Sequence, residues 1–345
     1  MASVQKQVFL IGPGYIGREV IDRLLENNYH VTALVRRPHP ELEQAGVRTV
    51  HGTIDDTSLI TLQTTKSDII IHTATADHLP SALAVLSGID QRATSSLPTT
   101  YIHTSGCSFL SDTSNGRFSS TEIYSDLSPA QMDARPPTSS HREIDLAIIS
   151  ARNRLGTKAK IFLMLPPLIY GATHHNRLSI QVITMARFAL KHRYAGYVGG
   201  GKGVWGLIHV RDLSYGYMTL LKWLEESGPE VALEHPYFFC ENGREVTWGE
   251  MAGVIGEELY AVGKVEGKGA REIPEEEYGD LFGRYSLVVI GQNARNRAER
   301  LRGLGWEAVH KDVREAFREE ELPLLLKEDQ GEYKGYAKAA ASGSG

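Results

Sequence analysis

The sequence predicts an α/β protein of the Rossmann type, a doubly wound parallel sheet with a smaller C-terminal lobe. Three observations predict it. Short apolar runs alternate with helix-periodic segments through the first half, as expected for strands buried on both faces and joined by crossover helices. The first run leads into Gly12-Pro13-Gly14-Tyr15-Ile16-Gly17, a G-x-G-x-x-G turn between a strand and an amphipathic helix. The second strand ends about 20 residues further on, where a dinucleotide's ribose is read.

The elements follow in order. Residues 8–11 form the first strand, and 16–27 a helix with Ile16, Val20, Leu24 and Leu25 on one face. Strands follow at 31–35, 47–50, 68–72, 101–104 and 161–165, with a helix over 79–96. Residues 105–137 read as a long irregular stretch, a length usually reserved for function or motion. The next helix begins near His141, with Ser140 and Glu143 as its capping box. Beyond Pro166-Pro167 come helices at 180–192 and 213–224, a glycine-rich turn at 199–203 and a strand at 237–240. Thr247 and Glu250 form a second capping box, opening a helix through Leu259, and a last helix spans about 313–326. The expected division is a nucleotide-binding domain over 1–170, joined by a strand at 236–241, a substrate lobe over 171–330 and a disordered tail over 331–345.

Composition narrows the function classes. A net charge of −5 supplies no basic field to draw the chain to nucleic acid or an anionic membrane. No apolar run approaches the length that spans a bilayer. With only Cys107 and Cys240 there is no disulfide framework, so a reducing, cytoplasmic compartment is the simpler expectation. His174-His175 is the densest histidine cluster and reads as a solvated loop pair; no metal site is expected.

The glycine turn carries the chemistry. Gly12 permits the tight turn, Gly14 lets backbone approach a pyrophosphate and Gly17 lets helix pack on strand. Tyr15 and Ile16 lie within the turn, whose helix N-terminus offers N–H groups and partial positive charge to phosphates. At the end of the second strand, where an NAD site places an acid, stand Arg36 and Arg37. Two planar cations there favour the 2′-phosphate of NADP(H). Asp55, after the third strand, either accepts from the adenine amino group or caps the next helix.

These motifs, with Ile71-His72-Thr73-Ala74, His103-Thr104-Ser105-Gly106, the segment 165–171, Ile208-His209-Val210-Arg211-Asp212 and Leu304-Gly305-Trp306, resemble the extended short-chain dehydrogenase/reductase superfamily. The likeness is to its atypical group of NmrA-like and fungal NAD-dependent epimerase/dehydratase-like proteins. It implies that Thr73 and Ala74 line the cofactor site, that Tyr170 closes the cleft over the nicotinamide, and that members often form homodimers. It also implies a Ser or Thr after the fifth strand with Tyr-x-x-x-Lys on the next helix. Ser105 matches the first position, but the pair is missing, and its places fall near Pro137 and His141.

Another proton source is therefore required. Tyr124 is either that source or a packing aromatic. His141, whose pKa a helix N-terminus should lower, is either a relay or a surface turn residue. Ser105 either holds a carbonyl or imine or simply ends a strand. Trp205 either lines the substrate pocket or packs in the core, and Cys107 reads as a packing residue. The resulting expectation is an NADPH-dependent reductase of a carbonyl or imine small molecule. The alternatives are an isomerase, dehydratase or cyclase on the same scaffold, or a non-catalytic NADP-binding redox sensor.

Overall fold

The computed structural model describes residues 5–310, 312–328, 333, 335 and 336. Its first half is a run of βα units: β1 (Gln7–Ile11), α1 (Tyr15–Glu26), β2 (His30–Val35), α2 (Pro40–Gln44), β3 (Arg48–His51), α3 (Thr57–Thr65), β4 (Ile69–His72), α4 (Leu79–Thr94) and β5 (Thr100–Thr104). The long stretch that follows is largely ordered. It holds a 3₁₀ turn (Cys107–Leu110), β6 (Tyr124–Ser125) and α5 (Pro129–Asp133) before α6 (Arg142–Leu155) and β7 (Lys160–Leu165). The rest comprises β8 (Leu168–Tyr170), α7 (Gln181–His192), β9 (Ala195–Tyr197), β10 (Val204–His209), α8 (Val210–Glu226), β11 (Tyr237–Phe239), β12 (Glu245–Thr247), α9 (Trp248–Ala261), β13 (Ala270–Glu272), α10 (Ser286–Ile290), β14 (Asn296–Arg297) and α11 (Glu299–Gly303). A last helix runs from Val313 to Leu325 and carries a π turn over Phe317–Glu321.

Seven strands form one parallel sheet in the order β11-β7-β5-β4-β1-β2-β3. Alternation along each strand divides the core in two. Phe9 and Ile11 join Ile60, Val85 and Ile148 on one face, the side of α3, α4 and α6. Val8 and Leu10 join Val20, Leu24, Leu213 and Tyr217 on the other, the side of α1 and α8. The order in which successive strands are added reverses between β1 and β4, and a ligand crevice opens beyond the strand ends at such a switch point. A returning strand is present, since β11 pairs with β7.

Three small sheets build the second half: β12-β10-β8, β13-β9 and β14-β6. The last joins the long stretch to the C-terminal half. A second joint lies where Gly116 and Gly199, both at positive φ, cross so closely that a Cβ on either would overlap backbone of the other segment. The Lys202 N–H closes this joint by donating to the Gly116 carbonyl at 2.9 Å.

Two local expectations are corrected. The Ser140/Glu143 capping box does not form: α6 starts at Arg142, and its N-cap is His141, held in the left-handed region at φ 64° with no side-chain cap. Within the expected tail Tyr336 is docked, its N–H donating to the Leu281 carbonyl and its ring packing on Phe282; residues 331, 332, 334 and 337–345 lie outside the described residues. The second capping box forms as expected, between Thr247 and Glu250.

Candidate active site

The glycine turn sits at the switch point. Gly12 has φ +92°, and a Cβ there would fall on the backbone of Ala74. A Cβ on Gly17 would overlap the Gly12 carbonyl oxygen and crowd the Thr73 hydroxyl, which itself donates to that carbonyl at 2.7 Å. Gly14, in contrast, has nothing within 4 Å of its would-be Cβ. Two glycines thus allow close packing and the middle one leaves an open face at the start of α1. That is the cradle a dinucleotide pyrophosphate requires. Thr73 and Ala74 are the residues against which Gly17 and Gly12 pack.

Arg36 and Arg37 are exposed, immediately after the end of β2. Asp55 does not cap α3, whose N-cap is Asp56; its carboxylate pairs with His78 Nε2 at 3.0 Å. Tyr15 is pinned, its hydroxyl donating to the Gly171 carbonyl at 2.5 Å. The side chain of Tyr170 does not face the cleft. It is fully buried, donating to the His310 carbonyl at 2.7 Å and accepting from Asn242.

Beyond β5 the structure rearranges the expected residues. Ser105 is buried, and its hydroxyl donates inward to Asp145 Oδ2 at 2.9 Å. Its proton is thus spent on a buried carboxyl of α6. One 3₁₀ turn later, half-buried Ser108 takes the position that faces His141, with Oγ 2.6 Å from Nε2. The other ring nitrogen, Nδ1, lies 2.6 Å from Asp77 Oδ1. Asp77 comes from the β4–α4 loop, Ser108 from the turn after β5 and His141 from the N-cap of α6. The left-handed backbone at His141 aims its ring between them, and strain of this kind persists only where surrounding contacts enforce it. Gly106 leaves the imidazole edge uncovered, since a Cβ there would stand 3.4 Å from Nε2.

The electrostatics of His141 reverse the expected direction. Burial lowers its pKa, but the Asp77 hydrogen bond and charge, with Asp145 behind, more than offset this and raise it above the ordinary imidazole value. As an imidazolium it donates to Asp77 and Ser108 together, leaving the Ser108 hydrogen free for a third group. Burial pushes Asp145 up to about 6 against the opposing charge of His141 and the hydrogen bond from Ser105. Beneath the site, His72 and His103 are buried with ring centroids 5.0 Å apart. Burial lowers the pKa of both, so they are neutral packing groups, bonded to Ser81 and Tyr101 respectively.

Tyr124 and Trp205 belong to the scaffold. The Tyr124 hydroxyl accepts from Arg135, whose other donors reach the carbonyls of Phe109 and Ser111. Trp205 is buried against Trp248 and donates to the Gln292 carbonyl at 2.7 Å. Cys107 is buried, with its thiol pKa pushed well up by burial, as befits a packing residue. His174 and His175 are not merely solvated: they pair with Glu19 and Asp22 of α1, each at 2.8 Å. Among the described residues no cluster has the make-up of a metal site. Asp77 and Ser108 escaped the sequence reading because nothing in their local sequence marks them; only the fold brings them to His141.

Known proteins share the fold. The family model described as "NAD dependent epimerase/dehydratase family" matches residues 9–232. Oxidase ucsJ of an Acremonium species is 29% identical over 330 residues, covering 88% of this chain and 93% of its own. An uncharacterized protein of Schizosaccharomyces pombe is 25% identical over 314 residues, covering 88% and 95%. Among solved structures, the Bacillus anthracis dTDP-glucose 4,6-dehydratase in complex with NAD superposes with a TM-score of 0.66 at 13% identity, covering 94% of this chain and 98% of that one. The yeast methylglyoxal/isovaleraldehyde reductase complexed with NADPH gives 0.60 at 14%, covering 93% and 98%.

Proposed function

The chain belongs to the NAD dependent epimerase/dehydratase family, and on that premise we propose that it is an NADP(H)-dependent oxidoreductase that reduces a carbonyl or imine of a small molecule. The observation that carries the proposal is the His141 imidazole bracketed by Asp77 and Ser108 where the superfamily's Tyr-x-x-x-Lys is missing. The cofactor, when bound, supplies hydride at its nicotinamide. The glycine turn and the start of α1 hold its pyrophosphate, and Arg36 and Arg37 favour the 2′-phosphate form.

The chain's own residues then supply the proton. The Ser108 hydroxyl would protonate the substrate oxygen, or the nitrogen derived from an imine, as negative charge develops on it. His141 Nε2–H returns a proton to Ser108, and the neutral imidazole keeps its Nδ1–H on Asp77. Asp145 holds Ser105 and adds negative charge that favours the imidazolium at the start of the cycle. The likeness to an Acremonium oxidase favours a second reading, the same array run backwards. There a neutral His141 would accept the proton of the substrate's hydroxyl or amine through Ser108.

Fluorescence titration is expected to show NADPH bound more tightly than NADH by on the order of a hundredfold, the scale of two charge-assisted contacts to phosphate. Arg36→Asp should reverse the order, and equal affinities in the wild type would sink the NADP assignment. Incubation with NADPH and a panel of ketones and imines, and with NADP⁺ and the corresponding alcohols and amines, distinguishes the two directions.

A further inference from the structure

A segment from the second half of the chain lies along α1. The Gly171 carbonyl accepts from Tyr15, His174 pairs with Glu19 and His175 with Asp22, and Arg177 then reaches His39 beyond β2. Residues 15, 18, 19 and 22 share one helix face, so Arg18 lies under this segment. It is 4% exposed. Its Nη2 pairs with Asp22 at 3.2 Å, while Nε and Nη1 are buried and have no hydrogen-bond partner among the described residues.

His39 adds a third unused donor. A guanidinium only donates, so the 3.3 Å contact from Arg177 Nη2 makes His39 Nε2 the acceptor. The neutral ring's hydrogen is then on Nδ1, which is buried without a partner. Arg177 has its pKa lowered by burial and then by the positive charge of Arg18, with Glu41 the acid that opposes this. Buried donors without acceptors call for an acceptor-only ligand. A phosphate monoester has that character.

We propose that Arg18, His39 and Arg177 form a 2′-phosphate clamp, in which a residue carried by the 171–177 segment sets the cofactor preference together with the β2 arginines. The assignment rests on the NADP reading above. The pyrophosphate has its own cradle at Gly12–Gly17, whereas His39 stands four residues beyond β2, at the ribose end. In this account Arg177 reports from the second half of the chain that the adenosine end is filled.

The test is calorimetric titration of the full chain with adenosine 2′,5′-bisphosphate and with 5′-AMP, which differ only in that phosphate. Wild type should prefer the bisphosphate. Arg177→Gln should cut the preference about tenfold or more while leaving 5′-AMP affinity within about twofold, and Arg177→Lys should restore part of it. Arg18→Gln should act in the same way, and a thermal melt checks its fold; if it does not fold, Arg177→Gln alone decides. If Arg177→Gln keeps the wild-type preference while Arg36→Asp abolishes it, the clamp is wrong and the NADP reading stands. If wild type shows no preference, both fall.

Discussion

Gly12→Ala is expected to remove nucleotide binding and to cost the fold about 3 kcal/mol. Two effects add. The residue sits at φ +92°, where an alanine is strained by about 1–2 kcal/mol. Its Cβ would also fall on the Ala74 backbone, and overpacking against atoms that cannot rotate away typically costs 1–3 kcal/mol. β1 pairs with both β2 and β4, so relief by moving the turn would disturb the centre of the sheet. Urea unfolding and NADPH titration of the variant measure the two losses. Gly14→Ala is the informative control, because nothing stands within 4 Å of its Cβ: stability should be near wild type while affinity falls. A Gly12→Ala protein of native stability and affinity would show that the turn is neither tight nor a cradle.

His141→Ala is expected to lower kcat for reduction by about 10²–10⁴, the usual contribution of a positioned proton donor. The pH profile is the sharper measurement. The folded-state pKa of His141 is raised, so the imidazolium and the rate it supports persist below that pKa and are lost as pH rises through it. Stability follows the same sign. The contribution of the Asp77–His141 pair is fully present below the unfolded imidazole value, about 6.5, and fades as pH climbs through the folded one. Asp77→Asn removes the acceptor's charge and should move both limbs to lower pH. Nitrogen-15 chemical shifts of the His141 ring report that movement without any substrate. An unchanged ring titration in Asp77→Asn would mean that Asp77 does not hold the proton.

The sheet was legible because its determinants are local. Val8 and Leu10 alternate with Phe9 and Ile11, three isoleucines fill 69–71, and three glycines at fixed offsets specify a turn. Even β11 shows itself as an aromatic run at 237–239. The proton-transfer array was only partly legible. His141 lies 64 residues from Asp77 and 33 from Ser108, and no periodicity connects them. The helix dipole alone predicts a lowered pKa for His141, and the opposite holds because a carboxylate in direct contact outweighs a partial charge at a helix end. Tyr124 and Trp205 drew notice as aromatics with polar handles. Both spend those handles inside the scaffold, on Arg135 and on the Gln292 carbonyl.

The crossing of Gly116 with Gly199 has an evolutionary corollary. Two stretches of chain 83 residues apart share one volume that admits no side chain from either. A mutation in one cannot be accepted until the other has yielded, so the pair should be inherited as a single character. Among descendants of a common ancestor, residues 115–116 and 199–202 should be kept together or replaced together, and chimaeras joined between them should fail when the parents differ at either. Substrate range would then diversify around this joint, through the residues that flank it.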